Sequence, residues 1–298
     1  MTRLNPDDTS SVREEIFTLG PVHLNYAELL GRGSPLLLLH GLARNWRDVL
    51  PLIPGLEQRH HVFAVDLLGH GKSARAPGAY NISAYASDVI GFLEQILDGP
   101  VVIFGHSLGG MVGMYIALHQ PSRVQALVLG DTMLARDAFD RSMYFSFFRT
   151  LHALLLQRTS VPDLARRLAE AEILVPGLEY PVAIGDLPGN DGAVLLKWAE
   201  CLDQVDPQAI AMTLSGTAYA EFEPDKWLAQ IHCPTLILQA NPDLGGLISE
   251  ADLHSALHLL PHAAHKFFPL LGHALHLQNP AAVLDAVTSY LSSIKVNS

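Results

Sequence analysis

An apolar run of four residues, Val101-Val102-Ile103-Phe104, passes directly into Gly105-His106-Ser107-Leu108-Gly109, and the residues after it, Gly110 to Leu118, can continue as a helix. A strand therefore feeds the serine and a helix leaves it, which places Ser107 on the sharp strand-to-helix turn known as a nucleophile elbow. In so tight a turn the serine backbone is strained, and the residues two before and two after it must be small to let strand and helix pass closely. GxSxG alone is a common string. Its specificity comes from this context, which makes Ser107 a candidate nucleophile rather than an ordinary turn serine.

The patterning around that junction is α/β. Short apolar runs bounded by glycine, proline and polar residues alternate with segments of helical spacing. Strands are predicted at Glu15–Leu19, Val22–Ala27, Pro35–Leu39, His61–Val65, Val101–Phe104 and Ala126–Leu129, then, after a long interval, at Thr235–Gln239 and His265–Pro269. The central runs are almost wholly apolar, as expected of parallel strands covered by helices on both faces. Between Met133 and Lys226 the pattern becomes leucine-, alanine- and aromatic-rich and helical, with stretches at Phe145–Gln157 and Val161–Ile173 and breaks at Pro176, Pro181 and Pro188. The strand pattern then resumes, so the helical segment interrupts one domain. The division expected is a core of residues 1–132 and 227–298 with an inserted helical cap at 133–226.

With 298 residues, 49% of them hydrophobic, the chain has material for a substantial core. Its formal charge of −11 argues against nucleic acid or an anionic membrane as partner. Cys201 and Cys233 form no CxxC pair, so neither a disulfide framework nor a zinc cluster is indicated, and no metal site is expected among the histidines. Met1 to Asp8 lack the apolar core of a secretory signal, which points to the cytoplasm. The longest apolar stretches are broken too early to span a bilayer; even Met143–Phe148 is followed by Arg149 and His152, well short of the ~20 residues required.

Further segments carry the chemistry that a serine nucleophile requires. A serine hydroxyl needs a histidine to take its proton and a carboxylate to hold that histidine. His273, introduced by Gly272 after the last strand-like run, suits a base delivered on a loop. Its neighbour His276 falls in an incipient helix and reads as a packing or hydrogen-bonding residue. For the acid, Asp243 follows the run Thr235–Leu238 and lies between serine and histidine in the chain. Asp131, which ends the run Ala126–Leu129, is its rival, with helix capping as the alternative role. His40-Gly41 ends another strand-like run, where His40 is expected to organise its loop through hydrogen bonds. Asp66-Leu67-Leu68-Gly69-His70-Gly71-Lys72-Ser73 contains Gly-Lys-Ser but is no phosphate-binding loop, because Asp66 stands where that loop needs glycine and no long helix follows. Its expected role is structural, with Asp66 capping a strand end.

Taken together, His40-Gly41, the Asp66–Ser73 segment, Gly105-His106-Ser107-Leu108-Gly109-Gly110, Asp243 and Gly272-His273 resemble the α/β-hydrolase superfamily over nearly the whole chain. The order Ser, Asp, His is that of this family. The resemblance implies an eight-stranded, mostly parallel sheet with helices on both faces, a helical cap after the sixth strand, no cofactor, and oxyanion-hole donors at the backbone amides of Leu42 and Leu108. One departure stands out. Where many members have glycine and two spacers before the acid, this chain has Ala240-Asn241-Pro242.

Members with haloalkane or epoxide chemistry carry aspartate at the elbow, and dienelactone hydrolases carry cysteine, so serine implies acyl chemistry on a small-molecule ester or lactone. Apolar residues of the insert, with Phe147 and Phe148 foremost, and Trp46 beyond the oxyanion loop are candidates for substrate contact, against the alternative that they pack the protein's own core. C–C bond hydrolysis, perhydrolysis, acyl transfer and a ligand-receptor role stay open, as does self-association into a homodimer.

Overall fold

The computed structural model describes residues 12–31, 33–175, 178–187 and 189–294. The N-terminal segment read for a secretory signal and the prolines at 176 and 188 lie outside the described residues. Among the described residues ten strands occur: β1 (Arg13–Leu19), β2 (Val22–Leu29), β3 (Pro35–Leu39), β4 (His61–Val65), β5 (Val101–His106), β6 (Val124–Gly130), β7 (Glu172–Ile173), β8 (Val182–Ala183), β9 (Thr235–Ala240) and β10 (Ala264–Phe268). Eight of them form one sheet in the order β1-β2-β4-β3-β5-β6-β9-β10. The pairs β1–β2 and β2–β4 are antiparallel, and from β4 through β3, β5, β6 and β9 to β10 every pair is parallel.

The burial of the strands explains their sequence. β5 and β9 are buried at every position and β3 at all but its first residue, because helices cover both faces. Residues of alternating parity along these strands feed two separate apolar layers. Leu37, Leu39, Ile103, Leu127 and Ile237 face one layer, while Leu36, Leu38, Val102, Phe104 and Val128 face the other. The first layer also packs on the helices Ile82–Ile96 and Leu108–His119, and the second on Trp46–Leu52 and Pro280–Ser293.

β5 runs two residues beyond the apolar run, so Gly105 and His106 pair with Leu129 and Gly130 of β6. Ser107 follows at once and begins the helix Leu108–His119.

The chain between β6 and β9 is mainly helical, as the sequence suggests, with helices at Tyr144–Leu155, Val161–Glu170, Gly192–Asp203 and Pro207–Leu214. The stretch predicted as helix through Ile173 stops at Glu170. Glu172 and Ile173 pair instead with Ala183 and Val182 as the short antiparallel ribbon β7–β8.

Candidate active site

Ser107 has φ 52° and ψ −117°, a conformation that non-glycine residues avoid and that the surroundings must hold in place. Its amide donates to the Gly130 carbonyl at 3.0 Å, and its carbonyl accepts the Thr132 hydroxyl at 2.6 Å. The flanking glycines are needed for close approach. A Cβ on Gly105 would collide with the backbone of Gly109, and one on Gly109 with the carbonyl of Leu39. Because Leu108 opens a helix, its amide has no intrahelical acceptor and the positive end of the helix lies beside the serine.

His273 follows β10, and its Nδ1 lies 2.7 Å from Oδ2 of Asp131. Asp131 is fully buried and also accepts the amides of Ala240 at 3.1 Å and Leu247 at 2.9 Å. Three donors thus fix one carboxylate, and the histidine ring is oriented by it. The carboxylate bonded to His273 is therefore Asp131, and not Asp243, where the acid was expected. Asn241 caps the 3-10 turn Pro242–Leu244 by accepting the Asp243 amide at 3.0 Å, and the turn carries the Asp243 side chain out to solvent. Asp131 reaches His273 because the Gly130–Leu238 pairing of β6 with β9 leaves it at the carboxyl edge of the sheet, beside the segment that was expected to hold the acid.

Ser107 and His273 open onto one cavity of about 30 Å³, walled by Leu42, Leu108 and Met111 from the core and by Phe139, Tyr144, Phe148 and Tyr219 from the insert. Of the two phenylalanines considered for substrate contact, Phe148 lines this cavity. Phe147 does not line it: its ring stacks on Trp198 at 5.1 Å inside the insert. Trp46 is also elsewhere. It is packed in the layer on the other side of the sheet, its amide donating to Asp66 at 2.6 Å and its indole N–H to Glu14 at 3.1 Å. Trp46 opens the 3-10 helix Trp46–Leu52, which packs in that second layer and so takes the ring away from the cavity. Met111, Phe139 and Tyr219 were not singled out from sequence; the general apolarity of the insert pointed toward the last two, and Met111 stands on the helix that follows the serine.

The loops around the cavity are braced by buried polar groups. His40 accepts the Leu67 amide on Nε2 at 3.0 Å and so carries its proton on Nδ1, which donates to the Gly41 carbonyl at 2.7 Å. Burial lowers its pKa to about 4, keeping it neutral in that role. Asp66 accepts amides from Trp46 and, at 3.0 Å, Lys72, the structural part read for the Gly-Lys-Ser segment.

Asp48, His106 and His276 are buried, with ligand atoms within 4.8 Å of one another, and are the described residues best placed to hold a metal ion. Each histidine already commits Nε2 to a protein acceptor, His276 to Asp48 and His106 to the His273 carbonyl, both at 2.9 Å.

Among the described residues no helix is long and apolar enough to cross a membrane. The chain is 26% identical to the sn-1-specific diacylglycerol lipase ABHD11 of Danio rerio, over 98% of this chain and 88% of that one. It is 22% identical to the 2-hydroxy-6-oxo-6-(2'-aminophenyl)hexa-2,4-dienoic acid hydrolase of Metapseudomonas resinovorans, over 97% and 94%. The crystal structure of the enol-lactonase from Burkholderia xenovorans LB400 superposes with a TM-score of 0.69 at 18% identity, covering 94% of this chain and 100% of that one. Residues 34–280 match the family model for the alpha/beta hydrolase fold, and with the sheet order and the elbow described above, the chain belongs to that family.

Proposed function

We propose that the chain is a serine hydrolase that cleaves a carboxylic ester or lactone through an acyl-enzyme on Ser107, with His273 as general base and Asp131 as the acid that orients it. The observation carrying this reading is the Asp131–His273 bond of 2.7 Å in a cavity that His273 shares with the strained Ser107. Bonding of Nδ1–H to the carboxylate leaves Nε2 unprotonated and able to take the serine proton. The amides of Leu42 and Leu108 are the proposed oxyanion donors, each worth about 3–4 kcal/mol in the transition state.

In the first half-reaction Ser107 Oγ bonds to the carbonyl carbon, and His273 receives the serine proton and passes it to the departing alkoxide. In the second, water loses a proton to His273, attacks the acyl carbon and releases the acid, returning the proton to Ser107. The apolar walls from Phe139, Phe148 and Tyr219 suit an apolar acyl or aromatic portion, with residues 133–226 acting as the cap. The likeness to a diacylglycerol lipase favours an ester. That to the aminophenyl-hexadienoic acid hydrolase favours a second reading, C–C bond hydrolysis with the same three residues.

The test is steady-state turnover of p-nitrophenyl esters of increasing chain length and of several lactones, with Ser107→Ala alongside. Sustained hydrolysis that falls by several orders of magnitude in the variant is expected. Single-turnover acylation without product release would instead indicate a receptor, and cleavage confined to a C–C substrate would select the second reading.

A further inference from the structure

Behind the cavity lies a set of buried titratable groups that the proposed reaction does not use. Asp48 sits in the 3-10 helix Trp46–Leu52, just past the oxyanion loop; His106 is the last residue of β5; His276 lies in the helical turn Leu275–Gln278, three residues after His273. None of the three lines the cavity, yet each belongs to a different segment that supplies the site.

Their hydrogen bonds can be assigned proton by proton. The His273 carbonyl can only accept, so the His106 Nε2 that meets it at 2.9 Å carries hydrogen. Burial holds the His106 pKa well below its ordinary value, so the ring is neutral and its Nδ1 has a lone pair and no proton. That Nδ1 has no hydrogen-bond partner and faces Gly41, where a built Cβ would lie 3.1 Å from it and 3.3 Å from the Ser107 Cβ. Any side chain at 41 would push against both. The Asp48 carboxyl would be raised by burial, but Arg44, 3.6 Å away, and His276 hold it far below the usual range, so the 2.9 Å contact has His276 Nε2–H donating to a carboxylate. The His106 ring packs at 4.6 Å from that of His273 and 4.4 Å from that of His276.

The base loop is thus held twice, at residue 273 by the residue preceding the nucleophile and at residue 276 by the segment following the oxyanion loop. We infer that His106 is a positioning residue: its bond to the His273 carbonyl, backed by the His276–Asp48 pair, sets the base relative to Ser107 and to the Leu42 amide. It touches no reacting atom and contributes by geometry alone. A displacement of the base of about 1 Å can cost ~10²-fold in rate.

This inference rests on Ser107 and His273 being nucleophile and base, and the experiment separates the two. The parent, Ser107→Ala, His106→Leu, His106→Gln and Asp48→Asn are compared for kcat and KM on p-nitrophenyl butyrate, for the rate of covalent labelling by a fluorophosphonate, and for thermal unfolding. In His106→Leu, kcat and the labelling rate are expected to fall together by about 10²-fold with KM changed by less than about 3-fold. His106→Gln, whose amide N–H can meet the same carbonyl, should recover most of that loss. A His106→Leu variant with lower melting temperature but kcat within about 2-fold of the parent would overturn the positioning role while leaving the triad standing. Continued labelling of Ser107→Ala would instead remove the nucleophile and the inference with it. If His106→Leu does not fold, Asp48→Asn carries the decision: about 10-fold lower kcat at little-changed KM supports the role, and an unchanged kcat overturns it.

Discussion

A single carboxylate, Asp131, accepts two backbone amides and bonds the proposed base, His273, whereas Asp243 meets solvent. Asp131→Asn should therefore lower kcat by about 10³- to 10⁴-fold, since an amide there holds the imidazole in the wrong tautomer, while Asp243→Asn stays within a few-fold of the parent. Ester turnover by the two variants checks this directly. A second residue gives a stability test. Asp88, in the helix Ile82–Ile96, has its carboxyl pushed up to about 6 by burial. Folded protein then holds that proton to higher pH than the unfolded chain, so the stability from Asp88 is complete below about pH 4 and is lost as pH rises through about 6. Urea unfolding of Asp88→Asn should match the parent at pH 4 and exceed it by roughly 1 kcal/mol at pH 8, a figure reduced for partial exposure. Of the residues proposed for the site, Ser107 and His273 carry local signals in the sequence, an apolar strand and flanking glycines for one, a glycine-led loop for the other. The carboxylate that bonds His273 carries no such signal, because chain order places both aspartates acceptably, and what separates them is the pairing of β6 with β9 and an Asn-capped turn.

Strands of the sheet were readable wherever both faces are buried, since continuous apolar runs bounded by turn residues leave little ambiguity. The ends slipped by a residue or two, as at β5, where Gly105 and His106 extend the strand without adding to the apolar run. The ribbon β7–β8, two residues a side, is too short to carry a period that a sequence could show. Within the insert the elements differ in how they are tied down. Gln204, Asp206, Gln208 and Glu221 make hydrogen bonds to Asn45, Gly69, Tyr80, Gly78 and Ser83 of the core, and Trp198 packs under Arg44 at 4.3 Å. Helices Tyr144–Leu155 and Val161–Glu170 pack chiefly on their insert neighbours. A cavity of about 30 Å³ is far below the ~300 Å³ at which ligand pockets begin, so admitting the proposed substrate requires an element to move. Hydrogen–deuterium exchange should be faster across 144–170 than across Pro207–Leu214, and acylation by a long-chain fluorophosphonate should alter the former most. Equal protection of both segments would contradict this.

At the scale of the molecule, one sheet carries all three site loops on its carboxyl edge, and the insert covers that edge from a single interruption of the chain. This arrangement has a bearing on synthesis. As the chain emerges from the ribosome, β6 is complete while its partner β9 lies more than a hundred residues downstream, beyond the whole insert. Until β9 arrives, β6 is an open sheet edge, almost wholly apolar and able to pair with another chain. A nascent chain stalled within the insert should therefore depend on chaperones more heavily than one stalled far enough past residue 240 for β9 to have left the ribosome, and the helices of the insert, which pack largely among themselves, are the part able to form while that edge waits.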